Sequence, residues 1–358
     1  MGGILGGVFV ALLAGGVLYQ RVGLKRQRRE FAPPGQMIDV GGHRLHVTCR
    51  GTGLPMVLFE SGIAASSLSW SLVAPAVAEF TRTCAYDRAG LGWSDLPSSD
   101  TPSSGAPSRG WSFERIVNDL CAVADRVGPQ QKFVLVGHSF GTFVVRAFAM
   151  RRPEQVVGLV LVDPATEWLT TTPQRTRLLR GGQQLSRVGA MLAHVGVVRA
   201  CLSLLTGGAP AAPRNFVKIF GPTAAHTLER LVGEVRKLPP EVQPAVKAMW
   251  CQPKCFHAMA NHMSVLERGD PLISITNVTP RRDIPVVVLS GGNQPEEQLA
   301  SHRLIAEASD RGRHVVAKRS AHWIQFDEPE LIVDAIKDLC APLRDAESRA
   351  TAVNHRSA

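Results

Sequence analysis

The chain has 358 residues, 45% of them apolar and 20% charged, so it can bury a substantial core and wholesale disorder is excluded. A formal charge of +10 raises nucleic acid as a partner, but the basic residues are scattered and aromatics make up only 6%, so no stacking array for bases is on offer. Seven cysteines are too dilute and too odd in number for a disulfide framework; they are expected to be mostly buried free thiols in a reducing compartment, although one or two bridges in an exported protein would leave the same count.

Met1 to Gln20 carries no charged side chain. Twenty helical residues rise about 30 Å, the thickness of a hydrocarbon core, and Tyr19 is placed to sit at the interface. Arg21, Lys25, Arg26, Arg28 and Arg29 follow, offset only by Glu30. A cleaved signal peptide carries its basic residues before the apolar stretch and a small-x-small site after it. The opposite order here predicts an uncleaved transmembrane anchor over residues 1–20 and a basic juxtamembrane linker over 21–35. The positive-inside rule puts Arg21 onward, and with it the rest of the chain, on the cytoplasmic side. Gly3, Gly7, Ala11 and Gly15 recur every four positions, a spacing that lets two helices approach closely and leaves a homodimer through the anchor open.

Strand signals then recur at wide intervals. Met37–Val40 and Arg44–Cys49 flank Gly41-Gly42, a hairpin signature. Met56–Glu60, Thr83–Tyr86, Phe133–Val136, Val157–Val162, Pro285–Leu289 and His314–Ala317 are short strand-like runs, and Phe113–Val127, Thr142–Arg151 and Glu328–Leu339 have helical patterning. This alternation predicts an α/β protein with a mainly parallel sheet covered on both faces. Pro97 to Gly110 is Ser/Pro/Gly-rich and reads as an exposed loop. Residues 166–282 are helical in pattern and contain no convincing strand, so they are expected to form a helical cap between two parts of a core, 36–165 and 283–342. The polar stretch 343–358 reads as a flexible tail.

The sharpest chemical feature is Phe133-Val134-Leu135-Val136-Gly137-His138-Ser139-Phe140-Gly141. It is G-x-S-x-G between an apolar strand and a helix, the context in which a tight turn exposes a serine nucleophile. The following helix N-terminus offers N–H groups to a developing oxyanion. A serine hydroxyl needs a base, and His322, after the last strand signal and before the final helix, is the candidate. A surface loop histidine is the bland alternative.

On these residues the chain resembles the α/β-hydrolase superfamily over roughly residues 36–342. Tyr86-Asp87-Arg88-Ala89-Gly90-Leu91-Gly92-Trp93-Ser94-Asp95, similar to the family's D-x-R-G-x-G-x-S segment, and Leu161-Val162-Asp163-Pro164-Ala165 add to the resemblance. It implies a mostly parallel sheet of eight strands, helices on both faces and a cap inserted after the sixth strand. The triad acid departs from the commonest position: Leu289-Ser290-Gly291-Gly292-Asn293-Gln294-Pro295-Glu296-Glu297 has no aspartate where many relatives carry one. Some hydrolases place the acid one strand earlier, where Asp163 sits, so Asp163 is the first choice; Glu296, Glu297 and Glu167 are the alternatives. By the same resemblance, the backbone N–H groups of Ile63 and Phe140 would form the oxyanion hole, although Glu60-Ser61-Gly62 replaces the usual His-Gly. Glu60 is expected to be a hydrogen-bonded structural carboxylate, and Asp87 and Arg88 to brace a turn.

Cys251, Cys255, His257 and His262 carry ligand chemistry, but their spacing matches no common zinc pattern and buried side chains are the expectation. Trp168, Met249 and Trp250 are candidates for an apolar pocket under the cap. The resulting expectation is a membrane-anchored serine hydrolase, esterase- or lipase-like, acting on a small acyl or lipid-like substrate through Ser139, His322 and Asp163, with no metal or organic cofactor and no nucleic-acid partner. Same-fold C–C hydrolysis, perhydrolysis and acyl transfer share this triad, and a non-catalytic binding or scaffolding protein is the reading from another class.

Overall fold

A computed structural model describes residues 2–97, 111–166, 172–206, 234–271, 273 and 281–356. The strands are β1 (Gln36–Asp39), β2 (Arg44–Arg50), β3 (Met56–Glu60), β4 (Thr83–Tyr86), β5 (Phe133–His138), β6 (Val156–Val162), β7 (Val286–Gly291) and β8 (Gly312–Ala317). They form one sheet of eight strands in the order β1-β2-β4-β3-β5-β6-β7-β8. β2 runs antiparallel to β1 and β4, and every other pair is parallel. Gly41 and Gly42 both take positive φ at the β1–β2 turn, a conformation that suits glycine.

Successive strand residues point to opposite faces, and both faces are buried. Met56, Leu58, Phe133, Leu135, Leu159, Leu161, Val286 and Val288 join one core; Val57, Phe59, Val134, Val136, Val160, Val162, Val287 and Leu289 join the other. This is why the strands read as continuous apolar runs, as parallel strands covered twice do. The helices α1 (Gly2–Glu30), α2 (Ala74–Ala78), α3 (Phe113–Val127), α4 (Gly141–Arg151), α5 (Pro173–His194), α6 (Val197–Thr206), α7 (Gln243–Trp250), α8 (Pro253–Arg268), α9 (Glu296–Glu307), α10 (Ile324–Asp327) and α11 (Pro329–Arg356) follow the chain. Residues of α3 and α4 fill the first core, and residues of α2 and α11 fill the second. α3 starts where the Ser112 hydroxyl accepts the Arg115 N–H at 3.1 Å, an N-cap that satisfies one donor of the first turn.

Between β6 and β7 the described residues of 166–282 contain helices and no strand. α5 buries Leu179, Gln183, Ser186, Ala190 and Ala193, one stripe at helical spacing. α8 packs against it; an added Cβ on Gly182 or Gly189 would collide with Met263 or Phe256. Nearly all of the predicted loop Pro97–Gly110 lies outside the described residues, as do Glu167 and Trp168.

Two expectations are corrected. Residues 21–35 are no linker as far as Glu30, because α1 continues through them without a break; Arg, Lys and Gln are good helix formers, and Arg28 and Arg29 complement the C-terminal end of the dipole. The tail is helical too: α11 runs to Arg356 with Pro342 inside it. Most cysteines are free, as expected, and the exceptions are Cys49 and Cys84. They face each other across the β2–β4 ladder and form a disulfide; Cys121, Cys201, Cys251, Cys255 and Cys340 remain free. A cross-strand register pair is invisible to a count of cysteines.

By length and composition α1 can cross a membrane. Ile4, Leu5, Val8, Phe9, Val10 and Leu12 are exposed. Its later part docks on the α5–α6 joint, on Arg199 and on Cys251. Gln20 is only 2% exposed; its amide donates to the Cys251 carbonyl at 2.8 Å and accepts from Arg199 Nε at 2.8 Å. A Cβ on Gly16 would lie 2.4 Å from the Val195 carbonyl, and one on Gly23 would strike the Arg199 guanidinium. Gly7 and Gly15, part of the four-residue repeat, meet nothing within 4 Å.

Candidate active site

The parallel register brings four strands to one edge. Glu60 pairs with Gly137, His138 with Val162, and Val162 with Leu289. The residues just beyond that edge therefore come together although they are far apart in sequence, as expected for sites at the carboxyl ends of such strands.

Ser139 occupies the turn between β5 and α4 with φ of +52°, a conformation that non-glycine residues adopt only where the surroundings enforce it. Its N–H donates to the Val162 carbonyl at 2.9 Å, and its carbonyl accepts from the Thr142 hydroxyl at 2.6 Å. The flanking glycines are required by contact. A Cβ on Gly137 would lie 2.8 Å from the Gly141 carbonyl, and one on Gly141 would lie 2.6 Å from the Glu60 carbonyl.

Asp163 sits one residue past β6 with φ of +42° and is fully buried. His322 Nδ1 donates to Asp163 Oδ2 at 2.6 Å, the Gly291 N–H donates to Oδ1 at 3.0 Å, and the Gln294 amide donates to Oδ2. Burial pushes this carboxyl up, but the hydrogen bond and charge of His322, the Gly291 N–H and the nearby His302 together hold it below its ordinary value. Glu296 and Glu297 lie in the first turn of α9 and are exposed; Glu296 pairs with Arg303. Of the described carboxylates, His322 binds Asp163.

His138 fixes the other side of His322. Its Nε2–H donates to the His322 carbonyl at 2.9 Å, and the two rings lie 4.7 Å apart. Burial, helped by the His322 charge, pushes the pKa of His138 down to about 3, so it stays neutral beside the His322 ring. Ser139 Oγ makes no hydrogen bond to His322 among the described residues.

The loop after β3 packs on the Ser139 turn: a Cβ on Gly62 would come within 3.4 Å of Ser139 Cβ. The N–H groups of Ile63 and Phe140 have no acceptor among the described residues. Arg88 holds this loop from below, donating to the Glu60 carboxylate and to the Ser61 and Gly62 carbonyls. Tyr86 donates to the same carboxylate. Burial pushes the Glu60 carboxyl up, with Arg88 opposing. Asp87 braces the next turn, accepting from the N–H groups of Ser67 at 2.7 Å and Trp93 at 3.0 Å and from His46 Nδ1 at 2.9 Å.

An apolar pocket adjoins these groups, lined by Ile63, Leu91, Leu238, Met249, Trp250 and Trp323 among others. Met249 and Trp250 thus line this pocket. Of the residues with metal-ligand chemistry, Cys255 packs against Leu91 and Ala258, and His262 lies between the Trp111 and Phe140 rings. Gln294, His138 and a relay behind Asp163 were missed in the sequence. In that relay His314 Nε2–H donates to Ser290 Oγ at 2.7 Å, the hydroxyl donates to His302 Nδ1 at 2.6 Å, and His302 Nε2–H donates to the Pro164 carbonyl at 2.8 Å. His138 is the second residue of Gly137-x-Ser139-x-Gly141, but no motif marks Gln294, Ser290, His302 or His314.

The sequence matches the alpha/beta hydrolase family over residues 57–335, and the chain belongs to that family. An AB hydrolase superfamily protein of Gibberella zeae is 26% identical over 310 residues, covering 81% of this chain and 87% of that protein. A probable transporter, efuK, of Hormonema carpetanum is 33% identical over 138 residues, 37% of this chain and only 19% of that protein. Among solved structures, a thermophilic esterase from Thermogutta terrifontis superposes with a TM-score of 0.57 at 19% identity, covering 85% of this chain and 97% of that one. At that identity the likeness speaks for the fold.

Proposed function

We propose that this hydrolase-family protein is a membrane-anchored serine hydrolase that cleaves carboxylic esters through an acyl-enzyme. The observation that carries the proposal is the short His322–Asp163 hydrogen bond at the sheet edge where Ser139 stands in a strained turn. Ser139 Oγ attacks the acyl carbonyl while His322 accepts its proton; Asp163 holds the imidazole in the tautomer with Nδ1–H and stabilises its cation. The oxyanion forms against the N–H groups of Ile63 and Phe140. His322 then protonates the leaving alcohol, and water, deprotonated by the same imidazole, releases the acid.

The apolar lining beside Ile63 and Trp323 suits an aliphatic or aromatic acyl group, since small-molecule sites are mostly apolar with a few placed polar groups. α1 tethers the site to a bilayer. The basic run after it favours a cytoplasmic catalytic domain, but the Cys49–Cys84 bond removes the support that free thiols would have given. The test is hydrolysis of p-nitrophenyl esters of increasing chain length by the full-length protein in detergent or nanodiscs. Wild type turns over at least one of them and Ser139→Ala none; a wild type inert towards the whole series, or an alanine variant of equal activity, contradicts the proposal.

A further inference from the structure

The exposed apolar surface of this protein is not scattered. Among the described residues, every large apolar side chain counted as exposed lies on α1, α5 or α6, except Leu96 and Leu304. On α5 these are Leu178, Leu185, Val188 and Met191, on the side away from the stripe that packs on α8. Isolated exposed apolar residues need no explanation, but a concentrated set marks an interaction surface.

Three observations say what covers it. First, the surface is continuous with α1. Gly16 presses on Val195 and Gly196, the joint between α5 and α6, and at that level α1 itself exposes Leu18 (63%), Tyr19 (45%) and Val22 (59%). Whatever solvates α1 there also reaches the cap. Second, residues 172–206 contain no Asp or Glu but carry Arg175, Arg177, Arg180, Arg187 and Arg199. Arg180 is paired with Glu267, and Arg199 bonds Gln20 and Gln27, while Arg177 and Arg187 stand exposed among the apolar side chains of α5. A helix with a buried stripe on one side and mixed basic and apolar residues on the other has the composition of an element lying in a bilayer interface. Third, a stretch across α5 and α6 has the length and apolar composition of a bent membrane segment, with 91° between the two helices, and it carries no acidic residue.

We propose that the outer face of α5, with the α5–α6 corner, lies in the headgroup region of a bilayer containing anionic lipid, so that the cap is seated on the membrane rather than hung from it by a tether. This rests on α1 being embedded in lipid. Arg177 and Arg187 would meet lipid phosphates while Leu185, Val188 and Met191 reach the acyl boundary. The polar ties of Gln20 to Cys251 and Arg199 then keep the cap in one orientation to the anchor.

The test is spin-label accessibility in the full-length protein reconstituted into nanodiscs of phosphatidylcholine and phosphatidylglycerol. Labels at Leu185→Cys and Met191→Cys are expected to collide with oxygen in preference to a water-soluble nickel complex, as a label at Phe9→Cys does, while Leu304→Cys on α9 shows the reverse. If Phe9→Cys is lipid-exposed but the two α5 labels match Leu304→Cys, the inference falls and the anchor stands. If Phe9→Cys is also water-exposed, the anchor and the inference fall together.

Discussion

Replacing Asp163 by asparagine isolates the acid. The side chain keeps its shape, so the Gly291 N–H can still be accepted at the position where it now lies 3.0 Å from Oδ1. The negative charge 2.6 Å from His322 Nδ1 disappears. Gln294 also donates to that oxygen, so an amide nitrogen turned towards His322 would face a donor on each side. The imidazole either adopts the wrong tautomer or loses its cation's partner. Removing the charge at a triad aspartate elsewhere costs about 10⁴-fold in kcat, equivalent to roughly 5 kcal/mol of barrier. The same order is expected here for Asp163→Asn in ester hydrolysis, with KM little changed, because Asp163 is fully buried and does not reach the substrate pocket. Thermal unfolding of the variant shows whether it folds. Retention of kcat within about tenfold in a folded Asp163→Asn protein refutes the assignment, as does a larger loss in Glu296→Gln or Glu297→Gln.

Arg88→Met should destabilise the fold by about 3 kcal/mol or more, since it leaves the buried Glu60 carboxylate without its cation; chemical denaturation that moves by under about 0.5 kcal/mol excludes the bracing role. His138 titrates at about 3 in the folded chain against an ordinary 6.5, so between those values the unfolded chain binds a proton that the folded chain does not. Stability therefore falls as pH drops below 6.5, and His138→Gln should flatten that slope by up to about 1.4 kcal/mol per pH unit; equal slopes in the two proteins contradict it. Under denaturing conditions without reductant, five cysteines should alkylate, rising to seven with reductant; seven in both cases rule out the Cys49–Cys84 bond. Gly137→Ala should cost activity and fold stability together, because its Cβ would meet the Gly141 carbonyl at 2.8 Å.

Much of the architecture was legible because its causes are local. Apolar runs buried on both faces mark β3, β5, β6 and β7 as central strands, and Gly137-x-Ser139-x-Gly141 marks the turn that only such glycines allow. Asp163 was the first choice for the acid by resemblance, in competition with Glu296, Glu297 and Glu167, and it is the carboxylate that His322 meets at 2.6 Å. What stayed hidden depends on contacts between distant segments. The Cys49–Cys84 pair follows from an antiparallel register, and the Gln20 contact with Cys251 spans 231 positions. Gln20 did carry a signal, as a long polar amide at the end of an otherwise apolar run, but nothing local says which carbonyl it meets. The basic stretch after it reads as a linker because charge suggests solvent, whereas its helix formers simply continue α1.

Everything chemical in this account depends on Ser139 being a nucleophile activated by His322. Treating the full-length protein with a fluorophosphonate and mapping the adduct by mass spectrometry tests that directly. The adduct should fall on Ser139, form far more slowly in His322→Ala, and be absent in Ser139→Ala. A folded wild type that carries no adduct on Ser139 contradicts it.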